Sequence, residues 1–311
     1  MFLTVTANPS VDRTVEVERL TRGSLHRASD VLVHPGGKGI NVARALVRNG
    51  FKARAVVPAG GAEGDQLIAL LTEYSIDVVR VPVLGPVRSN ITVVEPDATV
   101  TKLNEKGAHL GGPEIEALCE AIRTHVADVT WVVIAGSLPP GVHDGFYADL
   151  VAQIRPTNAR IAVDTSGPAL IAALKAGPSL VKPNVDELSE AVGRPLGTLG
   201  DAVDAAQELR QRGAGAVLAS LGADGAVLVS ADGVWHAEAK AEPKSTVGAG
   251  DAMLAGFLSA GGAGPAALAA GVAWGAASVS LPGSTMPGPE DVSAHRVVLH
   301  PDIDRTRRVQ S

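Results

Sequence analysis

The chain is predicted to fold as an α/β domain, a doubly wound and mainly parallel sheet carrying a small β-sheet lid. Three observations predict this. Short β-branched apolar runs alternate with helix-period segments along most of the 311 residues, the pattern of a parallel sheet covered on both faces. Apolar residues reach 46% while aromatics are 3%, so a large core is available and it must pack through small and aliphatic side chains. Two segments alternate apolar with charged residues instead, which assigns them to a separate, half-exposed antiparallel sheet.

The elements follow in order. FLTVTA (2–7) is the first strand. RTVEVERL (13–20) and LHRASDVLVH (25–34) join SNITVVEPDATVTKLNE (89–105), a hairpin around Glu95-Pro96-Asp97-Ala98, to make the small sheet. Within one domain spanning 1–311, the insertions that build it are roughly 12–34 and 87–106. Such a sheet is a lid over the strand ends, a dimer surface, or an edge extension of the main sheet. Helix 38–49 opens directly after glycines, then strand ARAVVPA (53–59) and helix 63–74 follow. Helix 113–126 leads to WVVIAGS (131–137), helix 144–155 to RIAVDTS (160–166), and helix 167–176 to SLVKPN (179–184). Helices 185–192 and 199–212 precede AVLASLG (216–222), which a glycine turn joins to AVLVS (226–230). Helices near 250–260 and 264–281 complete the cover, and the polar tail HPDIDRTRRVQS is expected to be disordered.

Charge and composition exclude several classes. The net charge is −6 and RTRR near the end is the one basic run, so nucleic acid is not an expected partner. One cysteine, Cys119, permits no intrachain disulfide and fits a reducing compartment. MFLTVTANPS has neither the charged nor the apolar region of a secretion signal, and no apolar run is long enough to span a membrane. The eight histidines lack metal-ligand spacing. The expectation is a cytoplasmic protein.

The chemistry is concentrated in a few short stretches. In STVGAGDAMLAGF (245–257), Gly248, Ala249 and Gly250 lead into a helix, and their N–H groups with the helix dipole would bind an anion. Asp251 at the join is either a helix-capping acid or a general base for a hydroxyl held beside that anion. HPGGKGINVARAL (34–46) sets Lys38 and Asn41 among Gly36, Gly37 and Gly39, as a strand-to-helix turn or as contacts for a polar substrate. Neither glycine run is a P-loop or a dinucleotide fingerprint. TANPSVD (6–12) ends a strand, and Asp12 binds sugar hydroxyls there or closes a turn. Asn184 and Glu187 in VKPNVDEL (181–188) lie one helical turn apart, as a site for hydrated Mg²⁺ or as a capping box. SLGADGAVLV (220–229) is a plain hairpin or a nucleotide-phosphate shelf. Arg13, Arg88 and Lys102 lie on or beside the lid strands, as solvated charges or as ligands for a phosphorylated substrate.

Together TANPSVDRT, GGKGINVARAL, TKLNE, AGSLPPG, DTSG, KPNVDEL, SLGADG and STVGAGDAMLAG, in this order from residue 6 to about 256, resemble the ribokinase-like (PfkB) sugar kinases. Within that group they are most similar to the 1-phosphofructokinase and tagatose-6-phosphate kinase branch. The resemblance implies ATP and Mg²⁺ as cofactors and a lid that also forms a homodimer contact. It implies Asp251 as the catalytic base and Gly248, Ala249 and Gly250 as the anion hole. Glu187, with Asn184, would arrange Mg²⁺ through water, and Lys182, Asn184, Ser220, Gly222 and Gly225 would lie by the nucleotide. Asp12, Gly37, Lys38 and Asn41 would bind the sugar, Arg88, Lys102 and Asn104 its phosphate, and the stretch Ala276 to Ser280 the adenine. The expected reaction is phosphorylation of fructose 1-phosphate to fructose 1,6-bisphosphate. The alternatives are a 6-phosphofructokinase, a tagatose-6-phosphate kinase and, in another class, a non-catalytic sugar-phosphate sensor. Two departures stand out: Lys106 occupies a position where many relatives carry proline, and WGAASVSLPGSTMPGPEDV fits the family loosely.

Overall fold

The computed structural model describes residues 1–97, 99–300 and 302–309. β1 (Phe2–Val5) is followed by β2 (Ser10–Glu16), β3 (Asp30–Gly36) and α1 (Lys38–Arg48). Then come β4 (Ala53–Ala59), α2 (Gly61–Glu73), β5 (Asp77–Pro82), β6 (Arg88–Val94) and β7 (Val100–Asn104). The middle of the chain alternates through α3 (Gly112–His125), β8 (Trp131–Ala135), α4 (Phe146–Ile154), β9 (Arg160–Asp164) and α5 (Gly167–Lys175). It continues with β10 (Leu180–Val181), α6 (Val185–Val192), α7 (Leu199–Gln211) and β11 (Ala216–Ser220). A 3-10 turn (Gly222–Asp224) leads to β12 (Ala226–Val229) and β13 (Val234–Ala239), before α8 (Ala249–Ser259), α9 (Gly264–Val279), α10 (Pro289–Ser293) and β14 (Val297–His300).

Ten strands form the main sheet in the order β14-β13-β12-β11-β10-β9-β8-β1-β4-β5. The seven from β5 to β11 are parallel, and β12 to β14 are antiparallel additions. Side chains alternate across it with the period of a strand. Leu3, Val5, Val132 and Ile134 enter a core shared with α3 to α7. Phe2, Ala55, Val57 and Val133 enter a second core, on the other face, shared with α1, α2, α8 and α9. The abundant glycine and alanine let α8 and α9 touch closely: a Cβ on Gly256 would come 2.6 Å from Trp274 Cγ. That close packing fixes α8, whose first turn carries Asp251.

The small sheet has the order β3-β2-β6-β7. The predicted hairpin is present as β6 and β7, paired from Asn90↔Asn104 to Val94↔Val100, with Ala98 outside the described residues. One expectation is corrected. β2 is antiparallel to β3 but parallel to β6, because β2 and β6 both leave the carboxyl ends of parallel strands, β1 and β5. The predicted strand 179–184 is reduced to the two residues of β10, although Lys182 N–H still donates to Val163 O, Ser220 N–H to Pro183 O, and Asn184 bridges Ser220; Pro183 has no N–H to continue the ladder. Three strands escaped prediction: β5, β13 and β14 all mix polar with apolar residues near the sheet's edges.

The tail is also corrected. Residues 302–309 pack back onto the molecule: Leu199 N–H donates to Arg307 O at 2.9 Å, and Val309 N–H to Gly197 O at 3.1 Å. Pro301, Gln310 and Ser311 lie outside the described residues. Among the described residues no helix is long and apolar enough to cross a membrane.

Candidate active site

The carboxyl ends of β1, β8, β9, β10 and β11 open on one side of the sheet, where open α/β sheets bind ligands. Three helices begin there: α1 after Gly37, α6 after Asn184 and α8 after Gly248. Gly37 and Gly248 have φ of 119° and 80°, conformations that glycine adopts without strain. Each helix start presents unpaired N–H groups and a positive dipole end.

Asp164, at the end of β9, is the hub. It is fully buried, with Lys38 Nζ 2.8 Å from Oδ1 and Lys182 Nζ 3.0 Å from Oδ2. Burial alone would raise its pKa, but Lys182 and Lys38 override this and hold it below the ordinary aspartate value. Lys38 also donates to Glu187 Oε1 at 3.0 Å. Burial works against its charge, yet Asp164, Glu187 and Asp251 hold its pKa above the normal lysine range. Lys182 reaches the glycine run as well: a Cβ on Gly250 would lie 3.2 Å from its Nζ.

Asp251 is 7% exposed in the first turn of α8. Burial, followed by repulsion from Asp164, pushes its pKa up to about 6 against the pull of Lys182 and Lys38. Asn41 Nδ2 donates to Asp251 Oδ2 at 2.9 Å. The amide of Asn41 is itself oriented, because its Oδ1 accepts from Arg44 Nη1 at 3.2 Å. Arg44 is 3% exposed and lies over the Tyr74 ring, 4.7 Å from its centroid.

Asn184 and Glu187 form a complete capping box. Glu187 N–H donates to Asn184 Oδ1 at 2.8 Å, and Asn184 N–H to Glu187 Oε2 at 2.9 Å. Each Glu187 oxygen thus has one partner and one lone pair remaining. Among the described residues no three acidic, histidine or cysteine side chains cluster as metal ligands. This donor set fits Mg²⁺ carried mainly by phosphates and water, with Glu187 accepting from its waters. Ser220 bridges Asn184 across the strand ends, and Gly222 and Gly225 follow it with φ of 60° and 76°. Ala276 to Ser280 form the last turn of α9, whose Val279 O accepts from Lys244 N–H and Ser245 N–H at 2.9 and 3.2 Å, ahead of the glycine run.

On the side of the four-stranded sheet, Asp12 accepts from Ser10 Oγ at 2.7 Å and Asn90 Nδ2 at 3.0 Å. Its carboxylate lies where a Cβ on Gly36 would fall, which requires glycine there. Arg88 donates to Asn8 O at 3.1 Å and Glu105 O at 3.0 Å, while its Nε is buried without a partner. A cleft of about 410 Å³ opens between Arg88, Asn8, Lys106 and Ser137. Lys102 and Asn104 are exposed on β7 and share the sheet face of Asp12 and Asn90, but the structure does not join them to this cleft. Arg13, on the opposite face, bonds Gln66.

The site therefore brings together Asp251, Asn41, Lys38, Lys182, Asn184, Glu187 and the glycine run. Sequence reasoning missed Asp164, Arg44, Asn8, Ser137 and Lys106. Asp164 carried a usable signal, an acid ending an otherwise apolar strand in RIAVD. Arg44 had none, since a buried arginine on a helix reads as a surface charge.

Known proteins resemble this chain over most of its length. A 1-phosphofructokinase of Rhodobacter capsulatus is 41% identical over 263 residues, covering 83% of this chain and 82% of that protein. A 1-phosphofructokinase of Haloferax volcanii is 39% identical over 312 residues, 99% of this chain and 100% of that protein. The phosphofructokinase-2 of Escherichia coli, solved in complex with fructose-6-phosphate, superposes with a TM-score of 0.87 at 32% identity, over 94% of this chain and 97% of that one. The family described as pfkB family carbohydrate kinase matches residues 5–291, leaving β14 and the segment after it outside the match. With nearly the whole α/β body and every residue of the buried charge cluster inside that span, the chain belongs to the pfkB family of carbohydrate kinases.

Proposed function

We propose that this chain transfers the γ-phosphoryl group of ATP to the C6 hydroxyl of fructose 1-phosphate, giving fructose 1,6-bisphosphate and ADP. Membership of a carbohydrate kinase family supports the reaction class, and the relatives described as 1-phosphofructokinases support the substrate. The observation that carries the mechanism is Asp251, a buried carboxylate with a pKa near that of a working base, about 6, beside Gly248–Gly250.

In the proposed step the acceptor hydroxyl gives its proton to Asp251 as its oxygen bonds to the γ-phosphorus. The bond from that phosphorus to the β–γ bridging oxygen breaks, and ADP leaves with the electron pair. The N–H groups of Gly248, Ala249 and Gly250 hold the moving phosphoryl oxygens, and the ammonium groups of Lys38 and Lys182 offset its charge. Mg²⁺, when bound, neutralises β- and γ-phosphate charge, and Asn184 and Glu187 are the residues that would hold its waters. Asp12, Gly37 and Asn41 contact the sugar. Arg88, with Lys106 and Ser137 beside it, receives the sugar's phosphate, and Lys102 and Asn104 reach it as the four-stranded sheet closes as a lid. Ser220, Gly222 and Gly225 support the nucleotide phosphates, and Ala276 to Ser280 the adenine.

The outer face of the four-stranded sheet supports a homodimer. Val15, Val31, Ile91 and Leu103 share it, with Val31 47% and Leu103 59% exposed. ATP and a sugar phosphate as substrates, with a single buried thiol at Cys119, fit a cytoplasmic enzyme.

An ADP-release assay with Mg-ATP tests the proposal against fructose 1-phosphate, fructose 6-phosphate, tagatose 6-phosphate and free fructose. The highest kcat/KM is expected for fructose 1-phosphate. The solved relative in complex with fructose-6-phosphate favours the second reading, and a preference for that acceptor would keep the mechanism and overturn the substrate. Asp251→Asn should lower kcat by about 10²- to 10⁴-fold; full activity in that variant would remove Asp251 as the base.

A further inference from the structure

The segment after β14 makes contacts that a loose tail would not. At the start of α7, Leu199 N–H donates to Arg307 O at 2.9 Å and Gly200 N–H to Arg305 O at 3.0 Å, while Asp201 N–H donates to Thr198 Oγ1 at 3.1 Å. The first unpaired N–H groups of that helix are thus satisfied largely by residues about a hundred positions later. A Cβ on Gly200 would come 2.7 Å from Arg305 O, so the helix is built to receive this segment. Arg305 clamps both oxygens of Asp204 at 2.7 Å.

Arg307 then reaches the turn between β11 and β12. Its Nη2 donates to Asp224 Oδ1 at 2.8 Å and Glu238 Oε2 at 2.6 Å, and its Nη1 to Glu238 Oε1 at 3.1 Å. His236 Nε2 contacts Asp224 O at 2.8 Å, and the His236 ring stacks on His300 of β14 with centroids 4.8 Å apart. The turn is pressed onto β13 from the same side, since a Cβ on Gly225 would overlap Ala237 O. Asp224 thereby has its side chain and its carbonyl tied to residues that the strap and its strand hold.

We infer that the strap formed by residues 302–309 is a positioning device for the Ser220–Gly225 turn, with Arg307 as the positioning residue that sets how well the turn accepts nucleotide phosphates. The inference rests on the reading of that turn as the nucleotide shelf. Arg307 touches no substrate; it acts through Asp224 and Glu238. Its guanidinium is planar and forked, so two carboxylates are fixed relative to each other at once.

The test is ADP affinity by calorimetry on the intact protein, alongside KM for ATP and for the sugar phosphate. Arg307→Ala should raise the Kd for ADP and the KM for ATP together by about tenfold, with the sugar-phosphate KM moving less than about twofold. Arg307→Lys should recover part of the loss. If Arg307→Ala does not fold, Glu238→Gln reads the same quantity with the fold's shape kept. Ala223→Glu separates the two levels, because Ala223 is exposed in the turn and a carboxylate there would repel nucleotide phosphates. If Ala223→Glu weakens ADP binding and the Arg307 and Glu238 variants do not, the strap inference falls and the nucleotide reading stands. If Ala223→Glu leaves ADP binding unchanged, the nucleotide reading falls and the inference with it. Equal rises in the ATP and sugar-phosphate KM would make the strap a merely structural brace and overturn the inference.

Discussion

At the scale of single residues, the pKa of Asp251 has two consequences of opposite sign. As a base it must be ionised, so kcat/KM should fall as pH drops through about 6, which a pH–rate profile at sugar-phosphate concentrations well below KM would reveal. As a contributor to folding it is a cost. Its folded-state pKa stands above the ordinary 3.8, so its favourable contribution is complete below pH 3.8 and is lost as pH rises through about 6. Asp251→Asn should therefore be more stable than the parent at pH 7 to 8, by roughly 3 kcal/mol, with the gain vanishing below about pH 4; urea titrations at the two pH values check it. Arg44 makes a different prediction. It acts on the site by orienting Asn41, so Arg44→Leu should lower kcat by about tenfold. In an Asn41→Ala background the same change should do little more, a non-additivity that a double-mutant cycle measures. The placement of Asp251 beside glycines at a helix start was legible in the sequence. Arg44 was not, because its importance lies in what is buried around it, whereas Asp164 left a trace as the acid that closes the apolar run RIAVD.

At the scale of elements, the start of α8 carries the greatest constraint. Gly248 has φ of 80°, and a Cβ there would come 2.6 Å from Met286 Cε. Gly248→Ala should cost about 1–2 kcal/mol in stability from the backbone conformation alone, read as a lowered Tm. Gly250→Val has no such conformational penalty but would meet Lys182 Nζ; it should lower kcat by more than about tenfold with circular dichroism unchanged. Buried parallel strands such as WVVIA were legible because both faces are covered and the run stays apolar. β5, β13 and β14 were not, since strands near or at the sheet's edge tolerate arginine, histidine and glutamate, and β14 is only four residues long and runs into a polar tail. The capping box of Asn184 and Glu187 was legible as a pair of alternatives, and its hydrogen bonds satisfy the bland one without excluding a water-mediated role.

At the scale of the whole molecule, the two-sheet architecture was readable from the change of hydrophobic period, but the direction of β2 against β6 was not, because period carries no information on which strands become neighbours. The proposed dimer is tested here: Leu103→Glu, placed on the outer face of the four-stranded sheet, should shift the protein to a monomer in sedimentation velocity, and an unchanged mass would remove that face as the contact. β1 has a further consequence. It lies inside the sheet, with Phe2 paired to Ala53 on one side and Trp131 on the other, so a strand that ends up buried along its whole length stays without its second neighbour until the chain as far as β8 has been synthesised. Such non-local pairing slows folding and leaves sticky surface open meanwhile. The nascent protein should thus depend on chaperones early in translation, while its finished sheet buries the same segment completely.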